Sequence, residues 1–304
     1  MPALSLDALE SFYVGGHAVP IPEGPYAGDE MVVGAMYVQR LVPSDRRFPL
    51  PVILVHGGMS TGVTWETTLD GREGWQTLFP RAGFETLVID QFSRGRSAPD
   101  LRSLCPHTAG SAPPAGPVNL IGKSASAFFS RGGGRFPDSD LHAYASQIWP
   151  DFGILKAAAA GHSGLSDPLA LEPMTALLDR IGRAVLITHS QGGHLGWRTA
   201  IARPDKVAAI FSIEPGVTSP GLDDPDFPDI PVRIMWGDNL REDAPVLSMH
   251  DLRTAQAIAA RNPKVTVDHL PADGISGNGH KLMQDDNSAE LAARIMQWLR
   301  SLDL

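Results

Sequence analysis

A serine stands where an apolar run meets a helical pattern, in Ala184-Val-Leu-Ile-Thr-His-Ser190-Gln191-Gly192-Gly193. A strand that turns sharply into a helix lifts such a hydroxyl clear of the sheet, as a nucleophile requires. Glycine usually sits two residues before the serine; here it is Thr188, still small enough for the turn. The helix expected over Gln191 to Ala202 aims its first amides at the same place and favours negative charge there. Ser190 is therefore the expected nucleophile of an acyl transfer, against the plainer alternative of a Ser-Gly turn at a helix start.

Such a serine needs a base, an acid to orient the base, and donors for the oxyanion. At a turn of this kind the partners follow the serine in the order acid, then histidine. Among ten histidines, His280 lies in Gly277-Asn278-Gly279-His280, between the last apolar strand and the final helix, and is the expected general base. His56 is the other contender. His189 precedes the serine on the strand, so alternation points it away from the hydroxyl.

Two carboxylates compete as the acid. Glu214 ends the apolar run Ile210-Phe-Ser-Ile-Glu214, whereas Asp238 directly follows Gly237 at the end of the next strand. Glu214 is favoured, because Asp238 comes too soon after that glycine and functional groups collect at the carboxyl tips of strands. The expected oxyanion donors are the amides of Gln191 and Gly58, the latter in Val55-His56-Gly57-Gly58, where glycines let main chain approach a carbonyl oxygen. Met59 and Trp65 are expected to shape the substrate pocket. The turn Asp90-Gln-Phe-Ser-Arg-Gly-Arg-Ser97 is expected to be structural. Gly116 to Ser124 ends in Gly-Lys-Ser but misses the phosphate-loop spacing, and no His/Asp/Cys spacing suggests a metal.

The elements that must hold these residues alternate from residue 31 onward. Strands are expected at Met31 to Val42, Pro51 to Val55, Thr86 to Asp90, Ala184 to Thr188, Val207 to Ile213, Val232 to Trp236 and Val265 to Leu270. Helices are expected at Trp75 to Ala82, Gln191 to Ala202, Leu247 to Arg261 and Ser288 to Leu299. Near-continuous Val, Ile, Leu and Phe in the strands predict an α/β fold, a mostly parallel sheet covered on both faces. Residues 98–172 break the rhythm with Pro and Gly runs and are expected to form a cap inserted into a single domain, 1–304.

Bulk composition narrows the function classes. Hydrophobic residues make up 43% and charged residues 19%, enough for a large core and too little charge for disorder. The net charge of −9 and the lack of basic clusters exclude a nucleic-acid partner. No apolar run reaches the roughly 20 residues that span a bilayer, so no membrane partner is expected. The first residues lack a basic then apolar leader, and Cys105 is the lone cysteine, which excludes an internal disulfide. A cytoplasmic location is the expectation, and a processed, exported chain would look the same.

The longer motifs carry a resemblance. Val55-His-Gly-Gly-Met-Ser-Thr-Gly-Val-Thr-Trp-Glu-Thr-Thr68, Asp70-Gly-Arg72, Gly74-Trp75, Val88-Ile-Asp-Gln91, Arg94-Gly-Arg-Ser97 and His189-Ser-Gln-Gly192 resemble a small group of bacterial α/β-hydrolase carboxylesterases, the esterase 713 group. The likeness runs on through Glu214 to His280 and covers most of the chain outside the cap. It implies the α/β-hydrolase fold, hydrolysis of a small-molecule carboxylic ester, no cofactor, a homodimer, and a glutamate after the sixth strand as triad acid, which Glu214 matches by position. An amidase, lactonase or lyase on the same residues is the alternative within enzymes, and a non-catalytic ligand receptor the alternative outside them.

Overall fold

The computed structural model describes residues 3–21, 23–98, 134–137, 141–148, 168–216, 221–238, 240–242 and 248–304. Eight strands form one sheet: β1 (Leu6–Pro20), β2 (Glu30–Pro43), β3 (Val52–Val55), β4 (Thr86–Asp90), β5 (Ala184–His189), β6 (Val207–Ile213), β7 (Val232–Trp236) and β8 (Val265–His269). Their spatial order is β1-β2-β4-β3-β5-β6-β7-β8. The β1/β2 and β2/β4 pairs are antiparallel, and every later pair is parallel. This is the mostly parallel sheet that the alternating pattern predicts, arranged as the family resemblance implies.

Between the strands lie α1 (Trp75–Arg81), α2 (Leu141–Gln147), α3 (Pro168–Ile181), α4 (Gln191–Ala202) and α5 (Met249–Ala259), and α6 (Ser288–Ser301) follows the last strand. Because successive side chains of a strand face opposite ways, each buried strand feeds two cores. Ile53, Leu186, Ile210 and Ile234 meet α3, α4 and α5 through Leu177, Leu195, Trp197 and Leu252. Their neighbours Leu54, Ile187, Phe211 and Met235 meet α1 and α6 through Trp75, Phe79, Leu291 and Ile295. Full burial of one such side chain contributes about 1.5–3 kcal/mol, so the two-sided pattern holds the strand tips firmly.

Two expectations change. The sheet begins before residue 31, because β1 is an additional edge strand zipped along β2 from Leu6 to Pro20. Of the expected cap, 98–172, only 98, 134–137, 141–148 and 168–172 are described; the remainder lies outside the described residues. Residues 168–172 open α3, whose Met174, Leu177 and Leu178 are buried on the sheet, so the main domain resumes at or before Pro168. Among the described residues no helix is long and apolar enough to cross a membrane.

Candidate active site

The carboxyl tips of the parallel strands converge at one edge of the sheet, and the residues expected to do chemistry follow them. Gly57 and Gly58 follow β3, Ser190 follows β5, Glu214 follows β6, Gly237 and Asp238 follow β7, and His280 lies in the segment between β8 and α6.

Ser190 has φ 53° and ψ −124°, a conformation that side-chain-bearing residues rarely adopt. Its surroundings enforce it. The Ser190 amide donates to Ile213 O at 3.0 Å, and its carbonyl accepts from Gly193 N and Gly216 N at 2.9 Å each. Helix α4 can start this close to β3 because residue 192 is glycine: a Cβ there would lie 2.6 Å from His56 O. Gly57 is equally constrained, since its Cβ would lie 2.8 Å from Ser190 Cβ. Gln191 is the first residue of α4, so its amide has no partner within the helix.

His280 and Glu214 are joined directly. His280 Nδ1 donates to Glu214 Oε2 at 2.7 Å, which leaves Nε2 as the ring's acceptor nitrogen. Glu214 is completely buried, and its other oxygen accepts the Gly237 amide at 2.8 Å. A buried carboxylate without such partners would cost several kcal/mol. Like Ser190, Glu214 has a positive φ, 41°, at the tip of its strand. Asp238 does not reach the histidine; its Oδ2 accepts the Gly277 amide at 2.9 Å and so anchors the histidine loop from below the first glycine.

Other histidines have structural posts. His56 is completely buried, with Nε2 accepting the Gln91 amide at 3.0 Å and Nδ1 donating to Gly57 O at 2.8 Å. Burial, followed by the nearby Arg94 cation, pulls it down to about 3. With both nitrogens engaged, it is not available as the base. His189 donates from Nε2 to His280 O at 2.9 Å, and the two rings lie 4.6 Å apart. Burial holds His189 well below its ordinary range, so it serves as a neutral brace between the serine turn and the histidine loop.

Met59 is half-buried with φ 53° between Gly58 and Ser60. Trp65 closes a helical turn at Gly62–Trp65, is fully buried, packs its ring 5.4 Å from that of Trp75 and sets its plane edge-on to His189. The expectation that it lines the pocket is corrected: the indole is core, one shell behind the site, because a large aromatic gains more from burial against Trp75 than from a wet cleft.

Two buried ionisable residues in the histidine loop escape a reading of the sequence. Lys281 donates from Nζ to Ser60 Oγ at 2.6 Å and to Thr64 Oγ1 at 3.3 Å, and burial pulls its ammonium down to about 7. Asp285 accepts from Asn278 Nδ2 at 2.8 Å and from the Gly279 amide at 3.0 Å. Arg72 fastens the same loop to the segment after β3, donating to the carbonyls of Gln284, Asp285 and Asp286 at 3.0–3.1 Å.

Burial pushes the Asp285 carboxyl up to about 7, and the bonds from Asn278 and Gly279 only partly oppose it. The unfolded value is about 3.9. Between those values the folded chain keeps a proton that the unfolded chain has lost, so the contribution of Asp285 to stability falls as pH rises from about 4 to about 7 and is level above that. Asp285→Asn cannot ionise. Its stability relative to the parent should therefore be greater at pH 8 than at pH 4.5 by roughly 3 kcal/mol, measured by urea unfolding at both values. An unchanged difference would place the carboxyl near its ordinary value.

No family model matches the chain. A bacterial esterase solved at atomic resolution is 31% identical, with 99% of this chain and 97% of that one covered and a TM-score of 0.82. The probable secreted lipase phiG of a fungal species, strain ATCC 74256, is 28% identical, with 90% of this chain and 88% of that protein covered. A predicted CIB-like hydrolase from Thermoplasma acidophilum shares the fold at 16% identity, with 97% of this chain and 99% of that one covered and a TM-score of 0.53. By its fold and its end-to-end likeness to that bacterial esterase, this chain belongs to the α/β-hydrolase esterases and is a carboxylesterase-type hydrolase.

Proposed function

We propose that the chain hydrolyses carboxylic esters through an acyl-enzyme, with Ser190 as nucleophile, His280 as general base and Glu214 as the acid that orients it. The observation that carries this reading is the 2.7 Å bond from His280 Nδ1 to the buried Glu214, at the same sheet edge as the strained Ser190. With Nδ1 committed to the carboxylate, Nε2 takes the serine proton as Oγ attacks the ester carbonyl. The oxyanion then faces the amides of Gln191 and Gly58, each worth about 2.7–4 kcal/mol of barrier in comparable sites. Collapse breaks the bond to the alkoxy oxygen, which leaves as an alcohol with the proton from His280. Water repeats the sequence on the acyl-enzyme, releasing the carboxylic acid and restoring Ser190.

The test is the order of product release. A chromogenic aryl ester mixed with enzyme should give a burst of phenol equal to the enzyme concentration when deacylation is slower, and a fluorophosphonate should label Ser190 and stop the burst. Labelling of a different residue would remove the nucleophile from this scheme.

A further inference from the structure

The turn after β4 holds a buried cation that the proposed reaction does not use. Arg94 is 4% exposed and reaches two different parts of the oxyanion site. Its Nη1 donates to Gly57 O at 3.1 Å, and its Nη2 donates to Gln191 Oε1 at 2.8 Å. Gly57 O also accepts His56 Nδ1 at 2.8 Å. The tautomer of His56 is set in turn by the Gln91 amide, which donates to Nε2 at 3.0 Å.

The consequence follows from covalent geometry. The carbonyl of Gly57 and the amide N–H of Gly58 belong to one planar trans peptide, so they point in opposite directions. Two donors gripping the oxygen fix that plane. They also draw electron density toward the oxygen, which strengthens the N–H at the other end, as in any chain of hydrogen bonds in a low-dielectric interior. The charged guanidinium is the stronger of the two donors. Its second arm holds the side chain of Gln191, whose own amide is the other oxyanion donor.

We infer that Arg94 is the positioning residue of the oxyanion hole: one planar fork sets the Gly58 amide through the Gly57 carbonyl and steadies Gln191 through its side chain. This rests on the serine-esterase reading above. The turn Asp90 to Ser97 thereby has two jobs. Asp90 braces the turn itself, accepting Gly62 N at 2.5 Å and Arg96 Nε at 2.6 Å, while Arg94 faces the chemistry.

The experiment compares the parent enzyme with Arg94→Met and Arg94→Lys. Three quantities are read: kcat per site counted by fluorophosphonate titration, KM for an aryl ester, and affinity for an arylboronic acid, whose tetrahedral serine adduct puts an oxygen in the oxyanion position. For Arg94→Met the per-site kcat should fall about tenfold to a hundredfold, with KM within about threefold and boronate affinity falling in parallel, less than the loss of a whole donor. Arg94→Lys should be intermediate at best, because an ammonium cannot span both acceptors as a fork does. A purely structural role would lower the count of titratable sites but leave each site intact. A per-site kcat within about threefold of the parent, or an unaltered boronate affinity, would overturn the inference. If Arg94→Met does not fold by circular dichroism, Gln191→Ala decides: it deletes one acceptor and keeps the amide, and a per-site kcat and boronate affinity equal to the parent's would likewise overturn it. Failure of the esterase reading looks different, since the parent enzyme would then take up no fluorophosphonate, and both conclusions would go together.

Discussion

Ser190→Ala should lower kcat for ester hydrolysis by about 10⁴- to 10⁶-fold while leaving the chain folded. Removing the nucleophile of a triad costs about as much as removing all three members, because the residues act as a unit. Stability should barely change, since the hydroxyl is not what holds the turn. The bonds from Ser190 N to Ile213 O and from Gly193 N and Gly216 N to Ser190 O are all main chain. A second variant separates strain from chemistry. At φ 53° and ψ −124° a side chain costs about 1–3 kcal/mol, which alanine still bears and glycine does not. Ser190→Gly, equally inactive, should be more stable than Ser190→Ala by roughly 1 kcal/mol once the greater freedom of unfolded glycine is subtracted. Urea unfolding of the two variants measures this, and hydrolysis surviving in either would remove Ser190 from the mechanism.

What the sequence discloses about this site depends on how local each cause is. The parallel strands are continuous apolar runs such as Ala184-Val-Leu-Ile, buried on both faces, and their bounds in the structure differ from the expected ones by at most one residue. The serine turn and the position of Glu214 follow from strand tips, and that of His280 from its place between the last strand and the last helix, so they too are legible. Strand β1 is not. It lies at the sheet edge with Leu9 and Tyr13 exposed, and Gly15 and Gly16 interrupt it with positive φ, so no clean alternation marks it.

Roles created by approach in space leave no local trace. Trp65 looks like a pocket aromatic until Trp75, ten positions on, is found against it in the core. Arg94 sits in what reads as a turn motif, and only the pairing of β4 beside β3 brings its guanidinium under Gly57. His56 has the right residue type for a base, and its hydrogen bonds to Gly57 and Gln91 are what exclude it.

The identity of the acid is the point at which geometry and sequence pattern can be set against each other. Glu214→Gln is nearly the same shape and can still accept the Gly237 amide through its oxygen, so folding should be preserved. The other atom becomes an NH₂ group facing His280 Nδ1, which then cannot donate. The ring must place its proton on Nε2, where it blocks the transfer from serine, and no carboxylate remains to stabilise the imidazolium. The matching change in a serine protease lowers kcat about 10⁴-fold, and a loss of at least about a hundredfold is expected here. Asp238→Asn keeps an oxygen for the Gly277 amide and never touches the ring, so kcat should stay within about tenfold. Measuring kcat for both, with circular dichroism to establish that each is folded, separates the two carboxylates. The opposite ranking would mean that the histidine loop turns toward β7 during catalysis and that the 2.7 Å bond to Glu214 belongs to a resting state.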